Sequence, residues 1–255
     1  KYIYALTVDP KDKCTIYVSD GQHIFKTTDC QRTWQLLFTE ERPAQRFVGL
    51  AIYYRDSKIL YGAQVGGDIF RSRDGGVSWR IIKSFNFELR HLVADPSNPG
   101  RLYAAAYNQG LFRSDDGGET WLELSDAFNN FSGSYNFNRL VFSPTQKDTL
   151  FWISKYGILR SADAGATWTE IKLLTPPGSV NIYGFAVNPK NPSEIYYTGT
   201  ILNDSNNKNL RSTLYKSIDG GVNWVTKKLP TNTIPTDLLM SKDNGKTIYV
   251  AFTTL

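Results

Sequence analysis

The sequence predicts an all-β fold, a β-propeller of four-stranded antiparallel blades, and three observations lead to this class. A short motif that ends in Trp recurs five times along the 255 residues, and an apolar pattern recurs ahead of each copy. Aromatic residues make up 14% of the chain, which suits strand faces that pack sheet on sheet. Repeats of roughly 40 to 50 residues with four short strands each are typical of propeller blades. We expect five complete blades, half of a sixth and almost no helix.

The recurring motif reads Ser/Thr-x-Asp-x-Gly-x-x-Trp and is clearest from Ser114 to Trp121. Its Asp can accept hydrogen bonds from backbone N–H groups ahead of it, and the Ser or Thr can close the same turn from the other side. Its Gly can supply a positive φ, and its Trp can bury a large apolar body. The five pairs are Asp29 with Trp34, Asp74 with Trp79, Asp116 with Trp121, Asp163 with Trp168 and Asp219 with Trp224.

This motif resembles the Asp-box, or BNR repeat, of sialidases, xyloglucanase-type glycoside hydrolases, sortilin-type receptors and photosystem II assembly factors. In those families the box is the turn between the two outer strands of a blade, away from the ligand site. The resemblance therefore implies a propeller fold and a structural role for the five Asp and Trp residues. The first copy departs from the pattern, because Cys30 and Gln31 replace the Gly pair.

The apolar pattern supplies the two inner strands of each blade. Leu6 to Pro10 with Ile16 to Val18 is matched by Leu92 to Pro96 with Leu102 to Ala104, and the pattern recurs twice more. Asp, Asn, Pro and Gly bound these runs, as strand-turn-strand units require. The predicted blades cover about residues 3–38, 47–83, 90–124, 138–174 and 182–229, with half a blade at 237–253, all in one domain, 1–255.

Two irregular features stand out in this organisation. No box follows the last pair of strands, so we expect the chain to be a fragment of a six- or seven-bladed or longer propeller. In the fifth blade, Thr200 to Thr213 is a polar insertion between the second and third strands, and we expect a mobile surface loop there.

Composition narrows the partners and the compartment. The net charge of +5 and the pI near 9.0 favour anionic partners only weakly, and no basic run suggests nucleic acid. No apolar run approaches the roughly 20 residues of a membrane span. Cys14 and Cys30 both lie in the first repeat, where antiparallel pairing brings them to one sheet edge. A disulfide there would place the protein in a secreted, periplasmic or lumenal compartment, and the alternative is two thiols in a reducing cell.

Ligands of this architecture usually bind at the face opposite the boxes, which we call the open face. It is formed by the loops from second to third strands and by the loops between blades. Arg46, Arg90 and Arg139 recur there at the starts of innermost strands, with His91 beside them. They predict a cationic patch that holds carboxylates or phosphates, and the alternative is solvated strand ends. The Tyr residues expected near this patch are Tyr135, Tyr156 and Tyr183.

No catalytic residue can be assigned from the sequence. Sialidases also use three arginines, but their Arg-Ile-Pro signature is absent, and Glu41-Arg42-Pro43 is a poor substitute. A glycosidase normally needs two carboxyl groups about 5 to 10 Å apart across a cleft. The open-face carboxyl groups are Asp68, Glu88, Asp126 and Asp237, none in a recognisable context. We also find no metal-ligand spacing, no phosphate loop and no nucleophile elbow, so we expect no metal and no cofactor.

The leading functional hypothesis is a non-catalytic module that binds a protein partner or helps to assemble a larger complex, as the likeness to photosystem assembly factors allows. The alternative is a carbohydrate-active enzyme, xyloglucanase- or sialidase-like, or a glycan-binding propeller. A convergent pair of carboxyl groups on the open face would favour the alternative.

Overall fold

The computed structural model describes residues 2–202, 209–230 and 233–253, and the fold is all-β. Five four-stranded antiparallel sheets and one two-stranded sheet follow one another along the chain, each a simple meander. The one helical element in these ranges is the 3₁₀ turn Ser125–Phe128. The predicted five blades and half-blade are confirmed, and no described helix is long and apolar enough to cross a membrane.

The chain divides into two compact units, Lys1–Ser125 and Asp126–Leu255. The strands of unit 1 are β1 (Ala5–Val8), β2 (Ile16–Ser19), β3 (His23–Thr27), β4 (Gln35–Thr39), β5 (Phe47–Ile52), β6 (Leu60–Gln64), β7 (Asp68–Ser72), β8 (Arg80–Ser84), β9 (Leu89–Ala94), β10 (Leu102–Ala106), β11 (Gly110–Ser114) and β12 (Leu122–Glu123). The strands of unit 2 are β13 (Phe137–Phe142), β14 (Leu150–Ser154), β15 (Ile158–Ser161), β16 (Thr169–Glu170), β17 (Asn181–Asn188), β18 (Asn191–Leu202), β19 (Asn209–Ser217), β20 (Val225–Lys228), β21 (Ile234–Met240) and β22 (Ile248–Thr253).

The second strand of each complete sheet carries much of the core. All five residues are buried in β6, β10 and β14, so neither face of these strands is open to solvent. The fourth strands β12, β16 and β20 are exposed throughout. This gradient explains why the inner strands read as continuous apolar runs and the outer strands as short polar ones.

Within each unit the first strands of successive sheets lie side by side, and glycine makes their contact close. A Cβ on Gly49 of β5 would lie 2.5 Å from the backbone nitrogen of Leu92 in β9. A Cβ on Gly184 of β17 would lie 2.7 Å from the Cβ of Leu238 in β21. The same position in two sheets therefore requires a residue without a side chain.

The structure corrects the prediction for Thr200 to Thr213, wherever that segment is described. β18 runs on to Leu202 and β19 begins at Asn209, so both ends of the expected loop are paired strand. The Thr200 and Ser212 hydroxyls are fully buried and bond to each other at 3.0 Å, which is why polar residues there are strand and not loop. Residues 203–208 lie outside the described residues.

Candidate functional site

The five Asp turns, named after the Asp of the recurring motif, share one hydrogen-bond pattern. In the third turn the Ser114 hydroxyl donates to Asp116 Oδ1 at 2.8 Å and accepts from the Gly118 N–H at 2.8 Å. Asp116 in turn accepts from the Thr120 N–H at 2.9 Å and from its hydroxyl at 2.6 Å. Burial alone would raise the pKa of Asp116, but the bonds from Thr120 and Ser114 lower it to about 2. The Asp116 carboxylate is therefore bonded on both oxygens by residues of its own turn.

The first Asp turn keeps this pattern without its glycines. Cys30 and Gln31 take positive φ values of 58° and 72°, the left-handed region that glycine would adopt more cheaply. The Gln31 N–H still donates to the Thr27 hydroxyl at 3.1 Å. Cys30 is also joined to Cys14 in a disulfide, two residues before β2 begins. The disulfide thus holds the one turn that lacks the usual glycines.

The five motif tryptophans are not equivalent. Trp79 and Trp121 are half-buried and donate their indole N–H to the carbonyls of Gly76 and Gly118, at 3.0 and 3.1 Å. Trp168 is buried, and half-buried Trp224 donates to the Lys172 carbonyl at 2.9 Å. Trp34 is 42% exposed, so the expectation that each Trp buries its ring is wrong for the first turn.

On the open face of unit 1, the predicted arginines lie against aromatic rings. The Arg46 guanidinium is 5.3 Å from the centre of the Tyr4 ring, and that of Arg90 is 4.4 Å from the Tyr107 ring. Arg90 also pairs with Glu88 at 3.0 Å. Both arginines and both tyrosines are exposed, whereas His91 is half-buried in β9. Unit 1 thus presents two exposed Arg–Tyr stacks at the starts of β5 and β9.

In unit 2 the predicted residues Arg139 and Tyr135 make bonds to other side chains of the same unit. Arg139 of β13 forms an ion pair with Asp237 of β21, and β17, which carries half-buried Tyr183, contacts both strands. The Tyr135 hydroxyl donates to Asn129 Oδ1 at 2.9 Å. Arg139 therefore links β13 to β21, and its charge is neutralised by Asp237.

Tyr156 has a partner that sequence reasoning did not find. Its hydroxyl donates to Glu170 Oε2 at 2.5 Å, because the turn after β14 and the end of β16 meet on the open face. That hydrogen bond, burial and the Glu170 charge raise the pKa of Tyr156 to about 12. A Tyr–Glu pair therefore exists, but its phenol stays protonated at neutral pH.

A second feature that sequence reasoning missed is the network around Arg42. Its Nε and Nη2 bind the two oxygens of Glu40, each at 2.9 Å, and its Nη1 binds Asp68 Oδ2 at 2.9 Å. Nη2 also reaches Gln64 Oε1 at 2.7 Å. Glu40 is 6% exposed and Gln64 fully buried, and the Arg42 hydrogen bond is the main reason that the pKa of Glu40 falls to about 2.

The sequence contained a weak signal for this network. Glu40 and Arg42 stand two residues apart in the loop between the first two sheets, and Gln64 and Asp68 bound the turn from β6 to β7. Both segments belong to the open face, so the four polar groups share one end of the sheets. The sequence could not show that Arg42 forms its hydrogen bonds with the buried carboxylate of Glu40.

Three of the four candidate carboxyl groups on the open face are bound by arginine. Asp68 binds Arg42 and also accepts from the Ser84 hydroxyl at 2.6 Å. Glu88 binds Arg90 and Asp237 binds Arg139, while Asp126 lies exposed in the 3₁₀ turn. An acid or base must offer an oxygen to its substrate, and three of the four give one to arginine. The described residues also contain no cluster of three His, Cys, Asp or Glu that could hold a metal ion.

The known proteins that are similar to this chain include a xyloglucanase, an ancestral GH74 enzyme and YCF48. The xyloglucanase Xgh74A of Acetivibrio thermocellus is 28% identical over 100 residues, which cover 32% of this chain and 12% of that protein. An ancestral GH74 enzyme superposes with a TM-score of 0.78 at 19% identity, over 99% of this chain and 35% of that one. The structure of YCF48 bound to D1 peptide superposes with a TM-score of 0.54 at 16% identity, over 99% of this chain and 90% of that one.

These similarities establish the fold and not the activity. The chain spans about a third of the ancestral enzyme's length and a smaller part of the xyloglucanase, and structural likeness at such identities shows the fold alone. Residues 4–253 match the family described as DUF6242 beta propeller domain. The chain therefore belongs to the DUF6242 beta propeller domain family, and the predicted propeller class is confirmed.

Proposed function

We propose that this chain is a non-catalytic module that binds a protein partner or helps to assemble a larger complex. The observation that carries the proposal is the pair of exposed Arg–Tyr stacks on the open face of unit 1, Arg46 on Tyr4 and Arg90 on Tyr107. Arg and Tyr combine large contact area with hydrogen bonding, and a stacked guanidinium is held in place before binding. The partner that these two stacks suit is an acidic segment of a protein. The fold likeness to YCF48, whose structure holds a D1 peptide, supports this reading.

The finer parts of the proposal concern the scaffold and the compartment. The Asp turns act as Asp-boxes, which stabilise the sheets and leave the open face for the partner. The module works in an extracytoplasmic compartment, secreted, periplasmic or lumenal. The bond between Cys14 and Cys30 supports that location, since such bonds persist mainly in oxidising surroundings.

A pull-down from native extract tests the proposal with the double variant Arg46→Gln, Arg90→Gln. A matched control is Lys13→Gln, Lys147→Gln, which removes the same charge from exposed side chains elsewhere. We expect the control to retain the partners of the wild type and the double variant to lose them. An unchanged partner set in a folded double variant contradicts the proposal.

The alternative remains a carbohydrate-active or glycan-binding propeller, and the similarity to a xyloglucanase favours it. A glycan array and a broad glycosidase screen test it directly. Turnover that disappears in Asp68→Asn or Asp237→Asn would replace the interaction module with an enzyme. Those carboxylates engage arginines here, so we expect no turnover.

A further inference from the structure

A cavity of about 470 Å³ opens in unit 1 between the second and third sheets, beside the Asp turns and away from the open face. We call it the Arg71 cavity. One wall is Tyr53, Ile59 and Tyr61 of the second sheet, and the other is the third Asp turn with Gly117 and Glu119. Its volume suits a small organic molecule better than a single ion.

The distinctive side chain of the cavity is Arg71 on β7, which is only 4% exposed. Its Nη1 donates to the Gly117 carbonyl at 3.2 Å and pairs with Glu119 Oε1 at 2.7 Å. Its Nε and Nη2 are buried and make no hydrogen bond of good geometry among the described residues, although the Tyr61 hydroxyl lies near the guanidinium. A buried guanidinium with unsatisfied N–H groups is costly, and a ligand that supplies acceptors removes that cost.

Two of the three carboxylates that line the cavity are already occupied, and the third, exposed Asp56, accepts a hydrogen bond from the Lys58 N–H. The Asp116 carboxylate is filled by Ser114 and Thr120 within its turn, and Glu119 holds Arg71. Exposed Arg73 adds a second guanidinium to the lining. The spare hydrogen-bonding capacity that is buried in the site is therefore the donor capacity of Arg71, in a lining of three carboxylates and two guanidinium groups.

We propose that the Arg71 cavity binds a carboxylate group attached to an apolar body, which takes the place of Glu119 on Arg71. With Glu119 displaced from Nη1, the edge formed by Nη1 and the unsatisfied Nη2 offers two parallel N–H groups, which match the two oxygens of a planar carboxylate. Tyr53, Ile59 and Tyr61 supply apolar surface for the rest of the ligand. Glu119 is 54% exposed, so its side chain can move into solvent and open the way to Arg71. This site goes beyond the proposed function, because it lies at the Asp turns.

The carboxylate has two sources, a free organic acid or the acidic side chain of a peptide. Calorimetric titration with 3-phenylpropionate and with the capped dipeptide acetyl-Phe-Glu-amide separates them. The neutral control ligand is 3-phenylpropanamide, which has the same apolar body without the charge. We expect one of the two acids to bind one to one and the amide not to bind.

Three variants locate the site. Glu119→Gln removes the internal competitor, so the acid should bind about tenfold tighter, whereas Arg71→Lys removes the planar fork and should weaken binding about tenfold. Arg160→Gln is the matched control, since Arg160 occupies the equivalent strand position beside a smaller cavity of unit 2 and hydrogen-bonds Gln146. It should leave the affinity unchanged.

Several outcomes would overturn the proposal. These are no binding of either acid to the wild type or to Glu119→Gln, equal binding of the amide, or an affinity that Glu119→Gln leaves unchanged. Equal binding of the amide and an unchanged affinity of Glu119→Gln can both be measured even where Arg71→Lys fails to fold. Loss of the open-face partner in the Arg46, Arg90 double variant has no bearing on this site, so the two proposals fail separately.

Discussion

At the residue scale, the Ser and the Asp of an Asp turn accept different N–H groups, and the assignment differs from the one that the motif suggests. The sequence places the Asp at the centre of the turn. In the third turn, however, the buried Gly118 N–H is held by the Ser114 hydroxyl, while Asp116 holds the exposed Thr120. The Ser is therefore the residue that keeps the buried backbone N–H paired.

This division predicts that Ser114→Ala destabilises the protein more than Asp116→Ala. Loss of Ser114 leaves the buried Gly118 N–H without an acceptor and should cost about 1 to 3 kcal/mol, whereas water can replace Asp116 at Thr120, at about 1 kcal/mol. Urea denaturation measures both, with Asp243→Ala as an exposed control in another turn. Equal losses for the two variants would show that the Asp is central after all.

The Asp turns also predict a loss of stability in acid. The pKa values of Asp29, Asp116 and Asp219 are lowered to about 2, mainly through hydrogen bonds from their own turns. The unfolded value is near 3.9. Because the folded pKa is the lower one, the stabilisation is complete above about pH 4 and is lost as pH falls towards 2. The melting temperature should fall in that window, and less steeply in Asp116→Asn, which keeps an acceptor but does not titrate. An identical slope in both proteins would contradict this origin.

At the scale of the element, the order of the strands along the chain was predictable, but the residues at which individual strands begin and end were not. Repeated apolar runs such as Leu102–Ala106 fix the second strands, because burial on both faces leaves no other composition. The two described ends of the segment from Thr200 to Thr213 were predicted as loop but are strand, since the Thr200 and Ser212 hydroxyls satisfy each other inside the sheet. The Arg42 network was not predicted for a related reason. Arg42 lies in a loop, and its buried partner Gln64 belongs to the next sheet, so the contact depends on how the two sheets pack.

The first sheet carries the disulfide, and this predicts a local dependence on redox state. The bond from Cys14 to Cys30 spans 16 residues and closes the turn with two strained positive φ values. Loop closure of this length is worth about 3 kcal/mol in chain-entropy terms. A reductant should lower the melting temperature of the wild type but not of Cys14→Ser, Cys30→Ser.

The strain at residue 30 provides a second check on the same turn. Cys14→Ser, Cys30→Gly should be more stable than Cys14→Ser, Cys30→Ser, because glycine adopts the φ of 58° at little steric cost. If the serine variant proves equally stable, the disulfide is not compensating for a missing glycine.

At the scale of the whole molecule, the sequence was informative about architecture and weak on function for one physical reason. Five copies of a turn and its strands are a local pattern, so they can be read along the chain. A binding face is assembled from loops far apart in sequence, and its character depends on which charges neutralise each other. Arg90 and Arg139 look alike in the sequence, yet one stacks on an exposed Tyr and the other ties two strands together.

The net charge of +5 should act on association through the Arg–Tyr stacks and not through the surface at large. Steering by an exposed cationic face raises the association rate with an acidic partner, and salt screens it over about 10 Å at 0.1 M ionic strength. With a captured partner, surface plasmon resonance should show an association rate that falls with salt in the wild type and in Lys13→Gln, Lys147→Gln. The slope should be shallower in Arg46→Gln, Arg90→Gln, although both variants lose two positive charges. Equal slopes in the two variants would mean that net charge, and not the open face of unit 1, steers the encounter.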